Sequence, residues 1–158
     1  MNKITSKTPQ ESAVEMNMLV MPNHANPNGT IFGGVVMSWV DMCAAMVAQR
    51  HSGKNAVTVH IDDISFLAPI KIGDHVKVMG QVNYTGKSSM VIGVKVLSHN
   101  PRTGEERHTT TAYLTFVALD DIGRPTSVIP IDPKTEEDIR RYHEAKERSA
   151  KNKKSRPL

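Results

Sequence analysis

Val14, Met16, Met18 and Val20 recur at every second position, the spacing of a short strand with one apolar face. Met21 to Gly29 is rich in Pro, Asn and Gly and is predicted to be a loop. A helix is predicted from about Gly34 to His51, closed by Ser52-Gly53 as a glycine C-cap. Beyond it the period changes to two. Ala56 to Ala68 reads as a long strand in which Val57, Val59 and Ile61 share one face, and Ile64, Phe66 and Ala68 the other. That change of phase at Asp62-Asp63 predicts a bulge or bend. Val76, Val78 and Val82 mark another strand, entered through Gly73-Asp74; Met90, Ile92, Val94 and Val96 mark the next, entered through Gly86-Lys87. The turn Asn100-Pro101-Arg102-Thr103-Gly104 leads into a last strand, Arg107 to Leu119. Asp121 to Pro133 is predicted as loop and Thr135 to about Ala150 as a polar helix. The order strand, helix, four strands gives an α+β fold. The four strands, joined by short turns, are expected to form an antiparallel meander with the apolar helix lying on it. Residues 1–13 would be a flexible lead-in, 14–133 the folded domain, and 134–158 a terminal helix with a basic tail.

The helix departs from the usual pattern. On a 3.6-residue wheel Val35, Trp39, Cys43, Met46 and Val47 cluster on one side, as core should. The opposite side is not polar: Met37, Ala44 and Ala48 lie there, with Asp41 among them. Burying a carboxylate without a partner costs roughly several kcal/mol, so Asp41 needs a reason to be there. Either it bonds a neighbouring segment, in the same chain or across a subunit interface, or it is a general base or nucleophile in a drying cleft.

Composition narrows the class. The chain is 39% hydrophobic and 23% charged, as in a soluble globular protein. With aromatics at 4%, the core must come mainly from Val, Ile, Leu, Met and Ala. Nine methionines suit an adaptable apolar cavity, or simply fill gaps. Cys43 is the only cysteine, which excludes an intrachain disulfide and suits a reducing compartment. No stretch resembles a secretory signal, and the most apolar window, Gly33 to Ala48, is too short to span a membrane; a cytoplasmic protein is expected. The net charge of +4 is concentrated late: Lys146, Arg148, Lys151, Lys153, Lys154 and Arg156 face Glu147 alone. Such a run is expected to be a solvated terminus, RNA or an anionic surface being its other use.

Immediately before the helix stands Asn26-Pro27-Asn28-Gly29-Thr30-Ile31-Phe32-Gly33-Gly34. Glycines at a helix start let a ligand approach the backbone, and the free amides of the first turn carry the positive end of the helix dipole. Such an end can stabilise an anion or a developing oxyanion. A tight turn would use the same glycines.

Together these residues resemble a known family. Met21-Pro22, Asn26, Gly29, Ile31-Phe32-Gly33-Gly34 and Asp41 look like the signature of the acyl-CoA hydrolase branch of the hotdog superfamily. The similarity continues through Val57-Thr58, Phe66, Pro69-Ile70, Gly73-Asp74, Gly86-Lys87-Ser88-Ser89-Met90 and Thr115-Phe116-Val117-Ala118. It implies a hotdog fold, a long helix wrapped by a curved antiparallel sheet. It also implies a thioesterase that cleaves acyl-CoA to fatty acid and coenzyme A. The family works as a dimer, often as a trimer of dimers, with the Asn loop of one subunit meeting the helix acid of the other. The resemblance places Asn26 and Asp41 at those catalytic positions. The thioester carbonyl is then expected over Gly33 and Gly34, and the coenzyme A nucleotide near Lys87, Ser88 and Ser89. At His24, where relatives often carry an acid, no role transfers.

Other chemistries fit less well. Cys43 lies among apolar residues and is expected to be inert core. The seven histidines show no ligand spacing, so no metal is expected, nor any resident cofactor. A hotdog dehydratase would need a histidine in the active loop, where Asn26 stands. A non-catalytic acyl-CoA sensor on the same fold stays open, and membrane or nucleic-acid partners are not expected.

Overall fold

The computed structural model describes residues 3–155. Its elements are α1 (Pro9–Ser12), β1 (Val14–Leu19), a 3-10 turn (Pro22–His24), α2 (Gly33–Ser52), β2 (Asn55–Phe66), β3 (His75–Thr85), β4 (Ser89–His99), β5 (Glu106–Leu119) and α3 (Glu136–Ser155). α1 and the 3-10 turn, the latter inside a segment read as loop, were not legible in the sequence. α1 is a single turn whose Ser12 hydroxyl accepts from the Val82 amide at 2.9 Å. Residues 1–13, expected as a flexible lead-in, include a segment hydrogen-bonded from Lys7 onward: the Lys7 amide donates to Pro130 and its carbonyl accepts from Asp132.

The five strands form one antiparallel sheet in the order β1-β3-β4-β5-β2. This corrects the expected four-strand meander. β3, β4 and β5 do follow one another, but β2 pairs with β5 at the far edge. The side of β3 that β2 would have taken is occupied by β1, with Val14 opposite Gly80 and Leu19 opposite His75. Residues 67–74, too long for a tight hairpin, cross between the two edges. β2 is therefore an edge strand, paired on one side only.

The bulge expected at Asp62-Asp63 is present: the register shifts between Asp62 and Ser65, and Asp63 adopts φ 44°. A second, unforeseen shift lies between Thr58 and His60. It splits the face on which Val57, Val59 and Ile61 were placed. Val57 now pairs with Val117 and Ile61 with Leu114, and residues an odd number apart on β5 point to opposite sides.

α2 lies on the sheet face formed by Val78, Ile92, Leu114 and Phe116, all buried. Burial of each such side chain contributes about 1.5–3 kcal/mol. Gly80 lets the helix come close, for a Cβ there would stand 3.1 Å from the Cys43 sulfur and 3.2 Å from a Val47 methyl. Gly53 closes the helix in the left-handed region, as expected. The wheel needs adjustment: Ala44 and Ala48, assigned to the outer side, are fully buried, whereas Met46, assigned to the core, is 40% exposed. The sheet takes the stripe Val36, Val40, Cys43, Ala44, Val47 and His51. Met37, Met42 and Met46 are left facing outward on a helix that has no polar back.

His51, at the end of that stripe, is fully buried. Its Nε2 lies 2.6 Å from the Ile129 carbonyl, which makes Nε2 the protonated nitrogen, and Nδ1 has no partner among the described residues. A second proton would place an unsatisfied N–H in the core. Burial accordingly holds the imidazole below its ordinary value, outweighing the Ile129 bond. The unfolded chain binds this proton below about pH 6.5 while the folded chain still resists it. Stability is therefore complete above that pH and is lost as pH falls toward the lower folded value. His51→Gln, which keeps a donor for Ile129 but cannot titrate, should flatten the fall in Tm between about pH 7 and pH 5.

α3 packs on β3 from the opposite face of the sheet, with acids in its first turn and lysines in its last, as the helix dipole favours. It runs to Ser155, beyond the predicted Ala150; Arg156 lies outside the described residues.

Candidate active site

Asp41 is half-buried on α2, and its Oδ1 accepts a hydrogen bond of 2.7 Å from the Thr58 hydroxyl on β2. Thr58 is opposite Phe116, a core residue, so it points to the helix side of the sheet. The bond fixes one carboxylate oxygen and leaves the other available to a water or a substrate. In the sequence Thr58 stood out only as part of the Val57-Thr58 segment of the family resemblance, with no role attached to it. It became legible only when the sheet register set it beneath Asp41. Removing a hydrogen bond to a charged group costs about 1.5–3 kcal/mol, or about 10- to 150-fold. Thr58→Val, which keeps the shape, should lower kcat by that factor with Tm little changed.

The loop before α2 is organised around Asn26. Its backbone amide donates to the Thr30 carbonyl at 2.8 Å, and its carbonyl accepts from Gly29, which sits at φ 79°. Its side-chain Oδ1 accepts from the Asn28 amide at 2.9 Å, and its Nδ2 donates to the Thr30 hydroxyl at 2.9 Å. One N–H of the amide and one lone pair of the oxygen are still free, on a group that cannot rotate away. The loop is tied to the β2–β3 connection by a bond from the Ile31 amide to the Ile70 carbonyl. His24 serves the loop as well: Nδ1 accepts from the Met21 amide, and the ring stands edge-on to Trp39 at 5.3 Å.

At the start of α2 no side chain caps the first turn. Gly33 borders an apolar cavity of about 380 Å³ lined also by Ile31, Val36 and residues 66–70. The ring of Phe66 lies 3.6 Å from where a Gly33 Cβ would stand, and Gly34 allows the Phe32 ring an even closer approach. Asp41 lies two turns further along the same face as Gly34, a rise of about 10 Å.

The structure thus brings Asp41 to Thr58, and Asn26 to the helix N-terminus, but no hydrogen bond joins Asn26 to Asp41 within the chain. Lys87, Ser88 and Ser89 form the β3–β4 turn, where Ser89 pairs with Val117, at the end of the sheet where β2 begins. The Asn26 loop adjoins Ile70 and Phe66, at the end where β2 finishes. Cys43 is buried, and burial pushes its thiol up to about 11, so it is not a nucleophile at neutral pH.

The thioesterase superfamily matches residues 28–105. An uncharacterised acyl-CoA thioester hydrolase of Bacillus subtilis is 39% identical over 144 residues, which span 91% of this chain and 84% of that protein. The chain belongs to the thioesterase superfamily. Among solved thioesterases, an apo hexameric acyl-CoA thioesterase superposes with a TM-score of 0.92 at 39% identity, covering 96% of this chain and 97% of the other. An acyl-CoA hydrolase from Staphylococcus aureus, solved with butyryl coenzyme A, coenzyme A and coenzyme A disulfide, gives 0.88 at 35% identity, over 94% and 90% of the two chains. The hotdog fold expected from the sequence is therefore the one observed. The Staphylococcus aureus thioesterase has also been solved as three alanine variants, of an asparagine, an aspartate and a threonine. Their mutual spacing along the chain equals that of Asn26, Asp41 and Thr58.

A thioesterase needs a group to activate water or attack the carbonyl, donors for the oxyanion, and a dry place for the acyl chain. Asp41, the uncapped amides of Gly33 and Gly34, and the cavity beside Phe66 are groups of those three kinds.

Proposed function

We propose that this chain is an acyl-CoA thioester hydrolase that releases a fatty acid and coenzyme A, with Asp41 at the centre of its chemistry. The observation that carries the reading is the half-buried Asp41 carboxylate, held by Thr58 on a helix whose first turn has no side-chain cap and begins at an apolar cavity beside Gly33. As general base, Asp41 takes a proton from water, the hydroxide attacks the carbonyl carbon, and the C–S bond breaks. The sulfur leaves as the coenzyme thiolate and recovers the proton. As nucleophile, Asp41 attacks directly and water then hydrolyses the mixed anhydride. Asn26 orients the water or the carbonyl, and Gly33 and Gly34 receive the oxyanion. Lys87 supplies charge, and Ser88 and Ser89 hydroxyls, to the nucleotide end of coenzyme A, which serves as part of the substrate and not as a cofactor.

The site is completed by a second copy. No hydrogen bond joins Asn26 to Asp41 within one chain, and the α2 face and the end of β2 beside them are apolar: Phe32, Met37, Met42, Met46, Ile61, Phe66 and Leu67 are each between 40% and 59% exposed. The free edge of β2 runs through this patch. A two-fold axis there would pair like with like, bury the methionine stripe and bring the Asn26 loop of one copy toward Asp41 of the other. The hexameric relative supports a further assembly into a trimer of dimers. No helix among the described residues is long and apolar enough to cross a membrane. We place the enzyme in the cytoplasm, a compartment that suits its single free thiol.

The test is release of free thiol from a series of acyl-CoA substrates, followed with a thiol reagent. Turnover is expected. Tight binding without thiol release would make the chain an acyl-CoA sensor instead. After a single turnover in heavy-oxygen water, label in the Asp41 carboxylate marks the nucleophilic route, with water opening the mixed anhydride at the Asp41 carbon.

A further inference from the structure

The bulge of β2 decides on which side of the sheet Phe66 falls. Asp62 pairs with Tyr113 and Ser65 with Thr111, so three steps along β2 match two along β5. Had the ladder continued without the extra residue, Phe66 would face the outer side with α3. With it, Phe66 pairs with the buried Thr110 and its ring reaches the cavity at Gly33. The bulge is not self-sustaining. Asp63 is the only residue other than glycine at positive φ among the described residues, and it sets two carboxylates side by side.

What holds it comes from α3. The Arg148 guanidinium donates to Asp63 Oδ2 at 2.7 Å and to Asp62 Oδ2 at 3.4 Å. It also lies 3.9 Å from the centroid of the Tyr113 ring, the residue opposite Asp62 in the ladder. One cation thus neutralises both acids and stacks on the strand that the bulge must match. Asp63 is largely exposed, but Arg148 and Asp62 are only 25% and 23% exposed, so the clasp is more than a pair of solvated surface charges.

We infer that Arg148 is a positioning residue for acyl-chain selection: by clasping the Asp62-Asp63 bulge from the outer face, it keeps Phe66 in the wall of the acyl cavity on the inner face. The inference rests on the hydrolase reading given above. Arg148 touches no reacting atom, and its influence passes through Phe66 alone.

The experiment compares kcat and KM for acetyl-CoA and for progressively longer acyl-CoA substrates in the wild type, Arg148→Gln, Phe66→Ala and the double variant, as full-length protein. For chains long enough to reach Phe66, Arg148→Gln should raise KM about 5- to 10-fold relative to acetyl-CoA, with kcat within about 2-fold. Phe66→Ala should give the same change of selectivity, and the double variant should be no worse than Phe66→Ala. Asp63→Asn, an exposed change that tolerates the positive φ and removes the charge of the shorter contact, should shift selectivity in the same direction, by less, if Arg148→Gln folds poorly. A lower Tm with the selectivity ratio unchanged would overturn the proposal, as would additive effects of Arg148→Gln and Phe66→Ala. If the wild type releases no thiol from any substrate, the hydrolase reading fails first.

Discussion

Asp41→Ala should leave a folded protein that binds coenzyme A and does not turn over acyl-CoA. Positioned acid–base groups contribute about 10²- to 10⁴-fold, so kcat should fall by at least that range's lower end. The loss should appear in kcat and not in KM, because the role proposed for the carboxylate lies in the chemical step and no part of the proposed coenzyme site depends on it. Stability should hold or rise. The substitution removes a half-buried charge from an apolar helix and leaves only a threonine hydroxyl, already near solvent, without its partner. Asp41→Asn sharpens the test, since it keeps a carbonyl oxygen for Thr58 and the shape of the side chain but cannot take a proton. Calorimetric titration with coenzyme A and steady-state thiol release together check both halves; wild-type kcat in either variant removes Asp41 from the mechanism.

Introducing a charge on the apolar face should be nearly as damaging, although it touches no reacting group. Ile61→Lys and Met46→Lys each alter a side chain 40% exposed in the single chain, so neither should prevent folding. In the proposed dimer the same lysine is enclosed by the methionines of α2 and by the paired edges of β2. Burying an unpaired ammonium there costs several kcal/mol at the least, roughly the whole of a modest association free energy. The mass in analytical ultracentrifugation should fall to that of one chain, circular dichroism should be unchanged, and kcat should drop about 100-fold or more. A monomer of full activity would show that each chain carries a complete site.

The sequence carried most of the fold because its signals are local. Alternating valines and methionines marked four of the strands, Gly53 marked the end of α2, and Asp62-Asp63 marked the bulge. What it did not carry was long-range. Nothing in β2 says that its partner is β5 and not β3, since that depends on β1 having already taken the side of β3. The shift between Thr58 and His60 is set by that pairing, and it hid the meeting of Thr58 with Asp41. Asp41 was legible for a different reason: a lone carboxylate on a helix apolar all round is a local contradiction, and such contradictions gather at working sites. The outward methionines were legible as apolar but not as surface, because a single chain's pattern does not distinguish its own core from a face meant for a second copy.

The central claim is that Asn26 and Asp41 act together across two subunits, and mixing two inactive variants tests it. Asn26→Ala and Asp41→Ala, each near-inactive alone, are dissociated and reassociated together at equal concentration. A mixed dimer contains one site with Asn26 from one chain and Asp41 from the other, and one site lacking both. Thiol release should return to about a quarter of the wild-type rate as random exchange makes half of the dimers mixed. Activity that stays at the sum of the two variants, with exchange confirmed by mass, would contradict the shared site and place the reaction within a single chain.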